Sequence, residues 1–318
     1  MAGLGERLRS GPPVVLDGAT GTELQRRGVP MDSVAWSAVA TETHPHVLRA
    51  VHEDYLRAGA EILTANSFAA SRHVLAPLGL GGRAADLARR SVTLAQEARD
   101  RFLAAEGRGR PVWIAGSIST FVARADQAQL PDEAEARASY REQAEALADA
   151  GADILLLEML RDVRQSVWMI EAAKATGLPV WLGFTCKRDD RDPGVVVLRG
   201  RDAERPLAAV LDEVLPVYGS PGPLSVAAIM HTDLDVTAPA LGILRSRWPG
   251  ALAAYPNSGG WVMPDWQFVD IATPEAFASA AAGWADMGAR MIGGCCGLGP
   301  AHIAALAAGL RGSESAAR

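Results

Sequence analysis

The hydrophobic positions of this chain form eight short apolar runs, and each run is followed by a segment whose apolar residues recur at helical spacing. The runs are continuous rather than alternating, which is typical of parallel strands buried on both faces. The eight predicted strands cover residues 14–17, 61–64, 112–116, 153–157, 180–184, 225–229, 252–255 and 290–293. Eight strands alternating with helices over 318 residues predict an α/β fold, a single (β/α)₈ barrel.

The alternative of a doubly wound open sheet is weaker, because the turn after the first strand lacks the G-x-G-x-x-G spacing of a dinucleotide site. Five prolines stand where a first helical turn would begin, at Pro45, Pro131, Pro239, Pro274 and Pro300. We expect the barrel domain to occupy residues 1–311. The small, polar segment 312–318 is predicted to be a flexible C-terminal tail.

The composition of the chain excludes several classes of protein. The chain is 49% hydrophobic and carries a net charge of −6, which excludes a disordered chain and gives no basic stripe for nucleic acid. No apolar run approaches the roughly 18 residues of a membrane span. Three cysteines, two of them adjacent, do not make a disulfide framework, so a reducing cytoplasmic setting is expected. The sequence leaves homo-oligomerisation open.

The barrel interpretation requires chemistry to gather at the carboxyl ends of the strands. Unusual residues do follow those ends: the Asp17–Thr22 turn, Asn66, Phe68, Glu158, Cys186, His231, Tyr255 and the Cys295-Cys296 pair. Two long loops on the same face, 187–205 and 258–272, are predicted to act as lids.

Cys295 and Cys296 are the sharpest local feature. Adjacent cysteines rarely pair with each other, because the disulfide is strained. Both sulfurs could face one metal ion, or one thiol could simply pack as a small hydrophobe. A catalytic zinc site needs a third ligand. His231 can reach across the barrel mouth, and Cys186 is the competing candidate, whereas His44, His46, His52, His73 and His302 are interpreted as packing or surface residues.

Seven segments together resemble the homocysteine S-methyltransferases, a zinc-dependent barrel family that includes the betaine and S-methylmethionine enzymes. The segments are D-G-A-T-G-T-E-L-Q from Asp17, W-S at Trp36, Y-L-x-A-G-A-E-I-L-T-A-N-S-F from Tyr55, A-G-S-I from Ala115, G-A-D-I-L-L-L-E from Gly151, Y-P-N-S-G from Tyr255 and I-G-G-C-C-G from Ile292. The resemblance extends over nearly the whole chain, from Val14 to Ile303.

The resemblance implies that zinc holds a small-molecule thiol acceptor, homocysteine, as a thiolate, which takes a methyl group from an onium donor and becomes methionine. One departure affects the metal site. The family's first ligand is a cysteine ending the sixth strand, and here that position is His231, preceded by Met230. Either the ligand set becomes His231, Cys295 and Cys296, or the metal site has been lost.

The resemblance also assigns substrate contacts. Glu158 would take the acceptor's amino group, although an internal salt bridge is the alternative. Asp17 with the amides of Gly18 and Ala19 would form the acceptor-binding turn, and Trp36 would offer an aromatic face to a cationic donor. Two more positions assigned to the substrate pocket are Asn66 and Phe68.

Four family positions are changed, at Phe68, Met159, Met230 and His231. They allow two alternatives to homocysteine methylation. One is a methyltransferase of the same fold with a different thiol acceptor or donor, and the other is a non-catalytic paralogue that binds a ligand or metal.

Overall fold

The computed structural model describes residues 2–106, 109–121, 131–199 and 204–316, and its centre is a ring of eight parallel strands. The strands, numbered here β1 to β8, are Val14–Val15, Ile62–Thr64, Trp113–Ser119, Ile154–Leu160, Val180–Phe184, Val226–Asp233, Ala251–Asn257 and Ala289–Ile292. Each coincides with a predicted strand, so the (β/α)₈ barrel is confirmed. β3, β4, β6 and β7 run further toward their carboxyl ends than predicted.

The sheet is continuous except at one seam. Its strand order is β1-β8-β7-β6-β5-β4-β3-β2, and the ring closes through a single parallel bridge between Leu16 and Ile62. Side chains reinforce that closure: the Thr64 amide donates to Asp17 Oδ2 at 2.7 Å, and the Val15 amide donates to Glu61 Oε1 at 3.3 Å. The β1/β2 seam, meaning this junction and its bonds, therefore combines two backbone hydrogen bonds, from the Asp17 amide to the Ile62 carbonyl at 3.0 Å and from the Glu61 amide to the Val15 carbonyl at 2.7 Å, with bonds to two acidic side chains.

Helices surround the strands. The α-helices, α1 to α12, are Ala2–Arg9, Thr20–Arg26, Ala40–Thr43, Pro45–Ala58, Arg72–Leu75, Ala84–Glu106, Glu133–Asp149, Val163–Lys174, Leu207–Tyr218, Leu234–Arg245, Pro274–Asp286 and Pro300–Ala316, with 3₁₀ turns at Ala76–Leu78 and Gly81–Arg83. Among the described residues, no helix combines the length and the apolar character needed to cross a membrane.

The prolines mark helix starts only in part. Pro45, Pro274 and Pro300 begin helices as predicted, but α7 starts two residues after Pro131, with Asp132 as its N-cap. The prediction for Pro239 is wrong, because this proline lies inside α10. The Asp235 carbonyl that Pro239 cannot satisfy instead accepts from the Arg188 guanidinium at 3.2 Å, which explains why the helix tolerates it.

The C-terminal helix α12 continues to Ala316 and so includes the first part of the predicted tail, whereas residues 317–318 lie outside the described residues. The domain boundary at residue 311 and the flexibility of the tail stay predictions.

The two predicted lids contain strands, so their description as loops is wrong. After β5, Cys186–Arg188, Val196–Leu198 and Arg205–Pro206 form a small antiparallel sheet. After β7, Gly260–Val262 and Asp265–Gln267 form an antiparallel hairpin. The first sheet forms because its apolar Val196 and Leu198 bury themselves against the outer core, which a charged loop segment does not indicate.

Two hydrophobic layers hold the barrel together. The outer layer packs the helices against the strands. The inner layer fills the barrel, from Leu4 and Leu8 of α1 at one end to Met159, Met230 and Tyr255 at the other. The carboxyl end of the inner core is thus also the floor of the region where the unusual strand-end residues collect.

A stability prediction arises from α11. Gly283 is exposed in this helix, and a Cβ added there meets no atom within 4 Å. Gly283→Ala should therefore raise the free energy of unfolding by about 1 kcal/mol, since alanine loses less backbone entropy in a helix. Denaturant unfolding measures the change. The matched control is Gly288→Ala just after the helix, where φ is +93° and the new Cβ would lie 2.0 Å from Arg245 Nη2. That variant should be less stable than wild type, and a similar gain in both would contradict the argument.

Candidate functional site

A cavity of about 360 Å³ opens at the carboxyl ends of the barrel strands. All ten of the sequence-predicted site residues line it: Asp17, Gly18, Ala19, Trp36, Asn66, Phe68, Glu158, His231, Cys295 and Cys296. Other lining residues include Thr20, Gly21, Met159, Arg161, Arg199, Met230, Tyr255, Trp261, Met263 and Trp266. Both predicted lid segments contribute to the wall, the first through Arg199 and the second through its tryptophans.

His231, Cys295 and Cys296 form a group that could hold a metal ion. Their ligand atoms lie within 4.8 Å of one another. Cys295 Sγ is 3.5 Å from His231 Nδ1 and 4.0 Å from Cys296 Sγ. The Cys296 sulfur and burial raise the pKa of the Cys295 thiol well above its ordinary value, so a bound cation would be needed to hold it as a thiolate.

The backbone positions these ligands tightly. His231 has a left-handed φ of +43°, and its carbonyl accepts from Thr185 Oγ1 at 2.7 Å. On the other side, the Cys295 amide donates to the Pro256 carbonyl at 2.7 Å. Gly297, at φ +84°, follows the cysteine pair, and a Cβ there would lie 1.8 Å from the Ser258 carbonyl oxygen. Only glycine lets the chain turn so closely behind the cysteines.

The competing ligand is not part of this group. Cys186 is fully buried in the outer core, and burial raises the pKa of its thiol to about 12. None of the other five histidines lies in the group either. His302 bonds the Gly299 amide and the Ala272 carbonyl, and His52 is buried in α4, where loss of hydration lowers its pKa to about 4.

Glu158 is a buried carboxyl group in the cavity wall. It lies at an irregularity of β4, where the pairing with β5 shifts after Leu157. Burial raises its pKa to about 7, partly offset by the Ser117 hydroxyl, which donates to it, and by the charge of His231. Among the described residues, no Lys or Arg forms an ion pair with Glu158, so the internal salt bridge is not observed.

Tyr255 faces this carboxyl group. Burial and the negative charge of Glu158 raise the pKa of Tyr255 well above its ordinary value, so the hydroxyl keeps its proton. Its position depends on Gly183 of β5, where a Cβ would lie 2.6 Å from the Tyr255 hydroxyl oxygen and 2.9 Å from Met230 Cγ. The Tyr255 hydroxyl interacts with Glu158 without making a hydrogen bond of good geometry to any described residue.

Asp17 is the second buried carboxyl group of the cavity. Both of its oxygens accept from Thr64, at 2.7 Å from the amide and 2.8 Å from the hydroxyl. Burial raises its pKa to about 7 despite these bonds. The Ala19 amide already donates to the Leu298 carbonyl at 3.2 Å, so the predicted pair of free amides at Gly18 and Ala19 is reduced to Gly18.

Aromatic rings form one side of the cavity. Trp36 packs edge-on against Phe68, with ring centroids 6.1 Å apart, and against Trp261 at 5.6 Å. Trp266 follows, 6.3 Å from Trp261. Gly21 makes room for this arrangement, because a Cβ there would lie 2.4 Å from the Trp36 ring.

Asn66 lines the cavity, but its amide group is used within the protein. Its Nδ2 donates to the Ser37 carbonyl at 2.8 Å, and its Oδ1 accepts from Ser37 Oγ at 3.0 Å. These bonds tie the end of β2 to the segment that carries Trp36, so the contacts of Asn66 place the aromatic wall.

Strained backbone is concentrated here. Described non-glycine residues with positive φ are Trp36, Met159, His231 and Asp270, and the first three line the cavity. Such conformations persist where the surrounding structure enforces them, and they are often found at functional sites. Sequence reasoning missed this feature, because no local signal marks a left-handed tryptophan or methionine.

Sequence reasoning also missed the cationic part of the wall. Arg161 and Arg199 line the same cavity as the two buried carboxyl groups. Arg199 lies within a segment crowded with charged residues, so nothing in its sequence neighbourhood distinguishes it. Several cavity residues have a buried polar atom without a hydrogen-bond partner among the described residues, namely Thr20 Oγ1, Trp36 Nε1, Arg199 Nε and Tyr255 Oη. A polar ligand would satisfy such atoms.

Comparison with known proteins places the chain among methyltransferases. The family model for homocysteine S-methyltransferase matches residues 14–310. Homocysteine S-methyltransferase 4 of Zea mays is 31% identical, over 96% of this chain and 91% of that protein. A selenocysteine methyltransferase of Astragalus bisulcatus is 29% identical, over 93% of this chain and 91% of that protein.

A solved structure agrees. The metallated form of the homocysteine methyltransferase MmuM from Escherichia coli superposes with a TM-score of 0.76 at 32% identity, covering 95% of this chain and 97% of that one.

Proposed function

This chain belongs to the homocysteine S-methyltransferase family, and from that premise we propose that it transfers a methyl group from an onium donor, of the S-methylmethionine or betaine type, to the sulfur of homocysteine, giving methionine. The observation that carries the proposal is the group of His231, Cys295 and Cys296 at the end of a cavity that also holds two buried carboxyl groups and an aromatic wall. Both substrates are small molecules.

The donor set fits zinc. A tetrahedral zinc ion with bonds of about 2.3 Å to sulfur and 2.0 Å to nitrogen holds two sulfurs about 3.8 Å apart and a sulfur and nitrogen about 3.5 Å apart. Here the two sulfurs are 4.0 Å apart, Cys295 Sγ is 3.5 Å from His231 Nδ1, and all three ligand atoms lie within 4.8 Å of one another. Three protein ligands leave the fourth position for a substrate sulfur, and zinc bound there would keep that sulfur ionised near neutral pH.

The transfer itself needs no covalent enzyme intermediate. A lone pair of the homocysteine thiolate forms a bond to the methyl carbon as the carbon–sulfur or carbon–nitrogen bond of the donor breaks. The bonding electrons stay on the donor, which leaves as a neutral thioether or amine, and the thiol proton goes to solvent. The protein contributes alignment of the two substrates and a site with little water.

Glu158 and Asp17 support an amino-acid acceptor. A carboxylate buried without a cationic partner is costly, and an ammonium group would offset that cost. Both groups have a pKa raised by burial to about 7, so a bound ammonium would hold them ionised. Glu158 and Asp17 are therefore assigned to the amino group of homocysteine, with the Gly18–Ala19 turn beside them.

The aromatic wall supports a cationic donor. Onium ions are attracted to the faces of tryptophan and phenylalanine. Trp36 and Phe68 line the cavity together with Trp261 and Trp266 from the hairpin after β7, and neighbouring rings are in contact. We assign this wall to the methyl donor.

The free thiols at the centre of the site further support a reducing compartment such as the cytoplasm.

The proposal is tested by incubating purified, zinc-loaded protein with homocysteine and either S-methylmethionine or betaine, and measuring methionine by mass spectrometry. We expect methionine with one of these donors, loss of product after chelation, and recovery when zinc is restored.

An acceptor panel separates the alternatives that the changed residues allow. Cysteine and selenocysteine are assayed beside homocysteine at equal concentration. Preference for another thiol or selenol would leave a methyltransferase with a different acceptor. Tight binding of donor and thiol without any methylated product would identify a non-catalytic paralogue and overturn the proposal.

A further inference from the structure

We propose that Arg199 binds the carboxylate of the methyl donor, so that the protein selects onium compounds that carry a carboxylate over those that lack one. This inference rests on the proposed function, because it assigns a partner within the same cavity. A permanently charged guanidinium lines a cavity whose aromatic wall otherwise suits a cation.

The backbone fixes Arg199 beside the metal-ligand group. Its amide donates to the Thr185 carbonyl at 2.9 Å, and the Thr185 hydroxyl donates to the His231 carbonyl at 2.7 Å. Arg199 directly follows the Val196–Leu198 strand of the small sheet after β5. Its side chain therefore starts from an ordered position two hydrogen bonds away from a predicted metal ligand.

The guanidinium has hydrogen-bonding capacity that the protein does not use. Its Nε is buried and has no partner among the described residues. Its Nη2 lies 3.6 Å from Asp233 Oδ2, which is an ion pair but longer than a hydrogen bond. Nε and an Nη of one arginine form the fork that binds both oxygens of a carboxylate. The unpartnered Nε is what a carboxylate ligand would satisfy.

How deeply each group lies in the cavity indicates that this carboxylate belongs to the donor rather than to the acceptor. Glu158 and Asp17 are 6% and 1% exposed and Cys296 of the metal-ligand group is 7% exposed, so these groups lie deep in the cavity. The side chain of Arg199 is 36% exposed, so it lies at the mouth. An acceptor held by its sulfur and its ammonium group occupies the floor, and the second substrate fills the space between that floor and Arg199.

Charge gives the selectivity. A simple onium ion on the aromatic wall would be repelled by Arg199, whereas a donor with its own carboxylate would be attracted at one end and accommodated at the other. Discrimination of this kind combines an attractive contact for one ligand with a repulsive one for its competitor.

A binding titration tests the role of Arg199 without requiring turnover. Zinc-loaded protein is titrated with S-methylmethionine and with trimethylsulfonium, which lacks a carboxylate, and the fluorescence of the cavity tryptophans is followed. Wild type should bind S-methylmethionine more tightly. Arg199→Gln should weaken that binding by about 10- to 100-fold, the effect of losing hydrogen bonds to a charged group, while its affinity for trimethylsulfonium should stay the same or rise. Arg199→Lys should recover only part of the loss, because ammonium lacks the fork.

Arg191→Gln is the matched control. Arg191 is exposed, lies between the first two strands of the same small sheet and does not line the cavity, so donor binding by this variant should equal that of wild type. Where turnover is present, Arg199→Gln should raise KM for S-methylmethionine and leave KM for homocysteine unchanged.

Three results would overturn the inference: unchanged S-methylmethionine binding in Arg199→Gln, equal weakening of both sulfonium ions, or a rise confined to the KM of homocysteine. Absence of methyl transfer in wild type would refute the proposed function, yet the binding comparison would still decide the role of Arg199.

Discussion

His231→Ala should lose the bound metal and slow methyl transfer by about 10³-fold, because a Lewis-acid contribution of several kcal/mol disappears and each 1.36 kcal/mol is a tenfold change in rate. The reason lies in the geometry: removal of the imidazole leaves only the Cys295 and Cys296 sulfurs, 4.0 Å apart, to hold the ion. Metal content by mass spectrometry should fall from about one zinc per chain to a small fraction of it. Cys186→Ala is the control, since this buried thiol lies outside the group and should leave the metal content unchanged.

His231→Cys sharpens the test. Three thiolates make the ligand set one unit more negative than one imidazole and two thiolates. The variant should therefore keep its metal, but the pKa of the bound acceptor thiol should rise. As the pH is lowered, the variant should consequently lose transfer at a higher pH than wild type does, because its thiolate is protonated earlier. At high pH its sulfur should be the better nucleophile. A pH profile of kcat measures both effects. Loss of zinc in Cys186→Ala with retention in His231→Ala would reverse the ligand assignment.

Glu158→Gln should raise KM for homocysteine by about 10- to 100-fold, the effect of losing a hydrogen bond to a charged group. The amide keeps the size of the carboxyl group and can still accept from Ser117, so the cavity keeps its shape. The effect should therefore appear in the KM of the acceptor more than in the KM of the donor. Steady-state kinetics with each substrate varied in turn measures the difference, and equal changes in both would contradict the assignment.

The same substitution should stabilise the ligand-free protein at alkaline pH. Burial raises the pKa of Glu158 from 4.5 to about 7 in the folded state. The unfolded chain loses this proton first, so wild-type stability falls as pH rises from about 4.5 to about 7 and then levels off. The rise in the pKa of Glu158 corresponds to a loss of about 3 kcal/mol in the free energy of unfolding between these pH values.

Glu158→Gln cannot ionise and should escape that loss. Its free energy of unfolding should match wild type near pH 4 and exceed it at pH 8, as measured by denaturant unfolding of protein stripped of metal. Glu145→Gln, on the exposed face of α7, is the control and should follow wild type at both values. A stability difference that is independent of pH would show that packing, not ionisation, causes it. The expected pH-dependent loss would instead mean that wild type keeps an ionisable carboxyl group for function at the expense of stability.

The barrel was predictable because its signals are local. Each parallel strand is an apolar run that can be read without knowing its neighbours, and strand ends converge on one face by the geometry of the fold. For that reason residues as distant in sequence as His231 and Cys295 could be expected together, and their atoms are 3.5 Å apart. Family resemblance supplied the roles of these residues, which spacing alone does not indicate.

What escaped prediction depends on tertiary contacts. Pro239 lies inside a helix because Arg188, from another element, satisfies the orphan carbonyl. The left-handed backbone at Met159 exists because β4 is irregular where it meets β5. Arg199 reaches the cavity only because its segment folds into a strand against the outer core. In each case the determining partner lies far away along the sequence.

The β1/β2 seam links the substrate site to the integrity of the barrel. A single backbone bridge and the bonds from Thr64 to Asp17 join these strands at the mouth. A ring is most easily opened where it is least joined, and here the opening would separate Asp17 from Thr64. A ligand ammonium that binds Asp17 in the closed ring would therefore stabilise the closed ring by mass action. Local opening of the β1/β2 seam and dissociation of the acceptor would then be coupled equilibria.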